Sequence, residues 1–281
     1  MTARAKRAAV GTIVFVHANG FPGPTYEPLF AVWRKAGYRV VAPERLGHDR
    51  RYPVVSGWRP TRDELLACMD AEVPAAAASP LHMVGHSMGG YVSLLAAIKR
   101  PAMAAGVVLL DSPLIAGWVA HSLRALKATR LIDRLGPGRI SKTRRMHWPT
   151  REDAHRHYAG KRAFARWHPD VLAAYIAAGL EDAPGGGVQL RFAREVETRY
   201  YRTVPHDLAA RLRRHPPRCP VSYVGGTQSA EMRQTGLHAT LALAGPRVQW
   251  IEGSHLVPME QPEAVAQAVL KAIDAVATAP R

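Results

Sequence analysis

Two short segments of this chain hold residues that could together perform nucleophilic acyl transfer. Gly85-His86-Ser87-Met88-Gly89 sets a serine between glycines two positions to either side. A β-rich run, residues 81–84, leads in, and a helix-forming run, 88–100, leads out. A strand that turns straight into a helix holds such a serine at unfavourable backbone angles, and the glycines leave room for close packing. It also sets the hydroxyl at the positive end of a helix dipole, where a developing oxyanion is stabilised. The second segment is Gly253-Ser254-His255. An imidazole within reach of Ser87 would take its proton and later return it to a leaving group. The five-residue motif alone is common in proteins, so its weight comes from the strand and helix around it. His86 reads as a structural or cleft-lining residue, and one histidine among thirteen earns attention only from its context.

Those residues need a scaffold. Strand-like runs fall at 10–16, 38–42, 81–85, 106–110, 220–225 and 247–251. Helical runs fall at 25–36, 61–78, 88–100, 229–244 and 262–276. Thr61 followed by Glu64 reads as a capping box opening the second helix. Strands alternating with helices predict an α/β fold, a mostly parallel sheet with helices on both faces. From 112 to 217 the pattern changes: helices dominate, strand candidates are few, and turns are expected at 136–138 and 185–187. This stretch holds twenty Lys and Arg against nine Asp and Glu, or +11 of the chain's formal +16. An insertion between two strands reads as a helical lid over the sheet edge where ligands bind. The expected division is a core of residues 1–111 and 218–281 with a cap of residues 112–217, inserted after the strand that ends at Asp111. The lid aromatics Trp118, Trp148, Tyr158, Trp167 and Tyr175 are expected mainly to pack its core.

Three segments together resemble the α/β-hydrolase superfamily, specifically its esterase- and lipase-like serine hydrolases. The first is Val14-Phe15-Val16-His17-Ala18-Asn19-Gly20-Phe21, similar to the family's oxyanion loop, with Ala18 where the family often has glycine. The elbow around Ser87 is the second. The third is Glu252-Gly253-Ser254-His255-Leu256-Val257-Pro258-Met259-Glu260-Gln261-Pro262, similar to the histidine loop before the last helix. The resemblance covers about residues 10–111 and 218–277. It implies Ser87 as nucleophile, His255 as base, and the backbone N–H groups of Met88 and Asn19 as oxyanion donors, with Gly20 the alternative to Asn19. Serine at this position excludes the aspartate-nucleophile routes of epoxide hydrolases and haloalkane dehalogenases of the same fold. Ester or thioester hydrolysis, carbon–carbon bond hydrolysis or lysis on the same residues, and non-catalytic ligand binding on the same scaffold all stay open.

The acid is where the sequence departs from that family. The usual Gly-x-x-Asp after the penultimate strand reads Gly226-Thr227-Gln228-Ser229 here. Asp111, at the end of the strand following the elbow helix, is the favoured substitute. Glu231, two residues past the usual place, is the alternative. Asp111-Ser112-Pro113 would also suit a helix cap. The nine residues before the first strand are too few for the family's leading antiparallel pair, so a sheet of about six parallel strands is expected.

Composition bounds the remaining classes. With 47% hydrophobic and 21% charged residues, the chain can bury a sizeable core. Cys68 and Cys219 form no Cys-x-x-Cys pair, which argues against a disulfide framework or thiolate zinc site and fits a reducing compartment. No Gly-x-Gly-x-x-Gly or P-loop pattern supports a nucleotide. His147 and His155-Arg156-His157 lack the partners of a metal site, so neither a cofactor nor a metal is expected. The basic residues are dispersed without a recognition motif, which disfavours nucleic acid. An anionic small-molecule substrate remains a candidate reason for the basic lid. No apolar run reaches the roughly 18–20 residues of a membrane span, and no cleavage signature follows the basic N-terminus. A cytoplasmic protein is expected, of unspecified oligomeric state.

Overall fold

The computed structural model describes residues 9–73, 79–129 and 141–277. The end of the second expected helix (74–78), the expected turn at 136–138 and the basic residues 1–8 lie outside them. Six strands form one sheet in the order β2-β1-β3-β4-β8-β9. They are β1 Gly11–Val16, β2 Tyr38–Val41, β3 Leu81–His86, β4 Gly106–Leu110, β8 Val221–Gly226 and β9 Val248–Ile251. Every pairing in this sheet is parallel.

Side chains alternate across the sheet and feed two apolar layers. Ile13 and Phe15 of β1 face one cluster, which holds α1 (Glu27–Lys35) and the C-terminal helix α12 (Pro262–Ala277). Val14 and Val16 face the other, with α2 (Arg59–Glu72) and the elbow helix α3 (Met88–Lys99). All four β1 residues are fully buried, each contributing about 1.5–3 kcal/mol of transfer free energy. A strand covered on both faces needs apolar residues at every position, which is why these strands read as continuous hydrophobic runs.

The segment between β4 and β8 carries α4 (Gly117–Ala128), α5 (Arg151–Ala159), α6 (Pro169–Gly179), α7 (Arg194–Thr203) and α8 (Leu208–Arg214). It also carries a small antiparallel sheet that the sequence reading did not separate: β5 His147–Trp148, β6 Leu180–Asp182 and β7 Val188–Leu190, ordered β5-β7-β6. Strands of two or three residues are too short to show a period of two. Trp148, Tyr158, Trp167 and Tyr175 pack in the cluster shared with α1 and α12. Phe192, Tyr200, Leu208 and Leu212 pack in the other. Trp118 departs from the expectation that the lid aromatics pack inside, being 76% exposed.

Two local expectations are corrected. The second helix begins at Arg59, so Thr61 lies inside it and no side chain caps it. Glu64 instead accepts the N–H of Gly47 at 2.7 Å. Pro60 in the first turn, with its preset φ, explains the earlier start. The stretch 229–244 is two helices, α9 (Ala230–Thr235) and α10 (His238–Ala244), broken at Gly236 with φ 77°.

Candidate active site

Ser87 and Asp111 each follow directly on a strand end, and those strands are hydrogen-bonded neighbours in which His86 pairs with Leu110. Sheet bonds continue past both ends: Ser87 N–H donates to Leu110 O at 3.0 Å, and Asp111 N–H to Val224 O at 2.8 Å. Ser87 has φ 52° and ψ −115°, a conformation costing on the order of 1–3 kcal/mol that the surroundings must impose. They do so by close approach. A Cβ on Gly89 would stand 2.0 Å from Val16 O, and one on Gly85 2.4 Å from the backbone of Gly89. The turn therefore presses strand, helix and the end of β1 together at a spacing only hydrogen permits.

His255 sits in the loop between β9 and α11 (Val257–Glu260). Its Nε2 lies 2.9 Å from Ser87 Oγ and its Nδ1 2.8 Å from Asp111 Oδ2. The other oxygen of that fully buried carboxylate accepts Tyr223 O–H at 3.1 Å and Gly226 N–H at 3.4 Å. Asp111 caps no helix, since α4 begins at Gly117 behind Ala116. Glu231 Oε2 is 3.9 Å from His255 Nδ1 and about half exposed, beyond hydrogen-bond range. Sequence spacing left Asp111 and Glu231 both open, and the geometry brings only Asp111 within hydrogen-bond distance of His255.

The loop after β1 is fixed from several sides. His17 is fully buried, donates from Nδ1 to Ala18 O (2.8 Å) and accepts Leu46 N–H at Nε2 (2.9 Å). Asn19 donates its side-chain amide to Glu197 O of α7 at 3.0 Å. Among the described residues, neither Asn19 N–H nor Met88 N–H donates to another group.

Residues 13–268 match the alpha/beta hydrolase family. This chain belongs to that family. Among curated relatives, the monoglyceride lipase of Rattus norvegicus is 27% identical over 125 residues, which cover 43% of this chain and 41% of the lipase. An abhydrolase domain-containing protein of Alternaria alternata is 34% identical over 96 residues, 33% of this chain and 30% of the relative. The matched stretch spans less than half the length of either curated relative. Among solved structures, E-2-(acetamidomethylene)succinate hydrolase superposes with TM-score 0.72 at 22% identity, covering 94% of this chain and 91% of that one. At that identity the likeness establishes the fold.

Electrostatics in this alpha/beta hydrolase favour ionisation of the Asp111 carboxyl. Burial is the largest influence and works against it, yet hydrogen bonds from His255 and Ser229 hold the group below the usual aspartate range. Burial likewise opposes protonation of His255. The Asp111 hydrogen bond and the charges of Glu231 and Asp111 outweigh it, so its pKa lies above the ordinary histidine value. The histidine loop is clamped by Glu260, which accepts Ser254 N–H at 2.9 Å and Ser254 O–H at 2.6 Å.

Several supporting residues escaped the sequence reading. Ser112 donates to Ser87 O at 2.9 Å, Tyr223 donates to Asp111, and Tyr26 lies 2.7 Å from His86 Nδ1. The signal for His86 was a polar residue on a strand expected to be covered on both faces, which must find internal partners. Nothing in the spacing pointed to Tyr26. Among the described residues, no group of three His, Cys, Asp or Glu could hold a metal, and no helix is long and apolar enough to cross a membrane.

Proposed function

We propose that this chain is a serine hydrolase that cleaves an ester, thioester or related carbonyl substrate through an acyl-enzyme. The observation that carries this reading is the continuous path Ser87 Oγ–His255 Nε2, Nδ1–Asp111 at 2.9 and 2.8 Å. Ser87 Oγ attacks the carbonyl carbon while His255 Nε2 takes its proton. Asp111 keeps the histidine proton on Nδ1 before the reaction and stabilises the imidazolium after it. The oxyanion accepts from Met88 N–H and Asn19 N–H. Collapse expels the alcohol or thiol, protonated by His255, and leaves the acyl group on Ser87. Water then repeats the sequence, with His255 as base, and releases the acid.

Residues 112–217 act in this reading as a cap that selects the acyl or leaving group. Its support is their contact with the oxyanion loop: besides the Asn19–Glu197 bond, a Cβ on Gly20 would stand 3.1 Å from the Glu197 carboxyl and 3.2 Å from the Arg144 guanidinium. Those two side chains form a largely buried ion pair at 2.8 Å.

A fluorophosphonate probe with intact-mass readout tests the reading. Wild type should gain one adduct. Ser87→Ala should fold with unchanged cooperativity, gain none, and lose hydrolysis of short-chain esters. Labelling retained at another serine would refute the assignment of the nucleophile.

A further inference from the structure

Ala18, Tyr26, His86 and His255 are linked by a directed series of hydrogen bonds. Ala18 N–H donates to Tyr26 Oη at 3.2 Å, Tyr26 Oη lies 2.7 Å from His86 Nδ1, and His86 Nε2 lies 2.9 Å from the carbonyl oxygen of His255. A carbonyl can only accept, so His86 Nε2 carries the proton. Its Nδ1 is then a lone pair, and Tyr26 must donate to it. A single tautomer satisfies every group. Tyr26 and His86 are both fully buried, so water does not compete for the bond between them.

We infer that His86 and Tyr26 are positioning residues that hold the oxyanion loop and the His255 loop in one fixed relation around Ser87. This rests on the acyl-transfer reading above. Ala18 immediately precedes Asn19, whose N–H must stand within about 2.7–3.1 Å of a developing oxyanion. The His255 carbonyl belongs to the base itself, so fixing it fixes the Cα from which the imidazole reaches Ser87. The ring joining the two is the residue before the nucleophile. All three working parts are thereby referred to one rigid side chain.

The ring also suits this task by staying uncharged. Burial chiefly, and the neighbouring His255 next, push the His86 pKa down to about 3. The two rings lie 5.2 Å apart between centroids. A cation at His86 would oppose the positive charge His255 must take on, and would lose the lone pair that accepts from Tyr26.

The two ends of the path can be cut separately. Tyr26→Phe keeps the volume and leaves both Ala18 N–H and His86 Nδ1 without partners. His86→Gln keeps an amide donor for the His255 carbonyl and loses the ring acceptor for Tyr26. Each is compared with wild type by the rate of fluorophosphonate labelling at Ser87, by kcat and KM for a short-chain ester, and by Tm. Tyr26→Phe should slow labelling and lower kcat by about ten- to a hundredfold, the scale of a sub-ångström to 1 Å misplacement. KM should stay within about twofold, since ground-state binding does not use the relation between the loops. His86→Gln should fall between Tyr26→Phe and wild type, and it decides the matter if Tyr26→Phe does not fold. Variants that label and turn over at wild-type rates, with only Tm lowered, would overturn the inference, as would a raised KM at unchanged kcat. Wild type that fails to label overturns the acyl-transfer reading itself, and the positioning role with it.

Discussion

The Ser229 hydroxyl, just past the end of β8, helps hold the pKa of the Asp111 carboxyl at the end of β4 below the usual aspartate range. Ser229 is fully buried and also accepts Met232 N–H at 3.2 Å as the N-cap of α9. It occupies the place where the resembling family carries its acid, and here it supports a carboxylate that comes from the neighbouring strand. Asp111→Asn is therefore expected to lower kcat by about three to four orders of magnitude, as the equivalent change does in a serine-protease triad. Ser229→Ala and Glu231→Gln should each cost about tenfold or less, a barrier change of ~1.4 kcal/mol. Steady-state hydrolysis of a short-chain ester measures all three. A crippled Glu231→Gln beside an active Asp111→Asn would transfer the role to Glu231.

The acid limb of kcat/KM should lie above the ordinary histidine value. On the acyl-transfer reading His255 acts as a base only when neutral, and its pKa is raised, so activity should fall as pH drops through that raised value. Asp111 beside Nδ1 and Glu231 at 3.9 Å favour the imidazolium, against burial. Glu231→Gln removes one of these charges and should move the limb to lower pH, so that the variant keeps a larger fraction of its plateau activity near pH 6. A limb that stays put or moves up would show that Glu231 does not act on His255.

Gly89→Ala should be among the most damaging single changes in the protein. Its Cβ would meet the backbone of Val16 and His17, and backbone cannot rotate aside. A loss on the order of 4 kcal/mol is expected, read as a fall in Tm or a loss of soluble yield. Gly160→Ala, whose Cβ would approach nothing closer than 3.4 Å, is the control and should be nearly silent.

The surplus of positive charge in residues 112–217 makes a kinetic prediction. A field that draws in anions raises the encounter rate and is screened by salt. For an ester with an anionic acyl group, kcat/KM should fall markedly between low and high ionic strength, while a neutral ester of similar size stays flat. Equal responses would reduce the surplus to ordinary surface charge.

The features legible in the sequence were those encoded locally. Ser87 announced itself because strand, glycines and helix are contiguous, and His255 because its loop precedes a proline-started helix. The break at Gly236 was missed because an isolated glycine in a helical pattern is often tolerated. The opening of α2 was misplaced because Thr61 offers the same side chain as a cap while Pro60 starts the helix earlier. Asp111 could not be separated from Glu231 by spacing. Which of them meets Nδ1 depends on how far the chain after β9 folds back across two strand ends, and that is set by packing. Tyr26 and Tyr223 were silent for the same reason, since each partner lies in a distant element.

Because Ser87 and Asp111 are the next rungs after a paired Leu110 and His86, their separation is ruled by the ladder of the sheet and not by any loop. The chain leaves the sheet after the second of those rungs and rejoins it at β8. A protein engineer could graft there a different stretch that restores its packing against α1 and α12 and expect Ser87 and Asp111 to keep their spacing. On the acyl-transfer reading, selectivity and chemistry would then be separately inheritable parts of this chain.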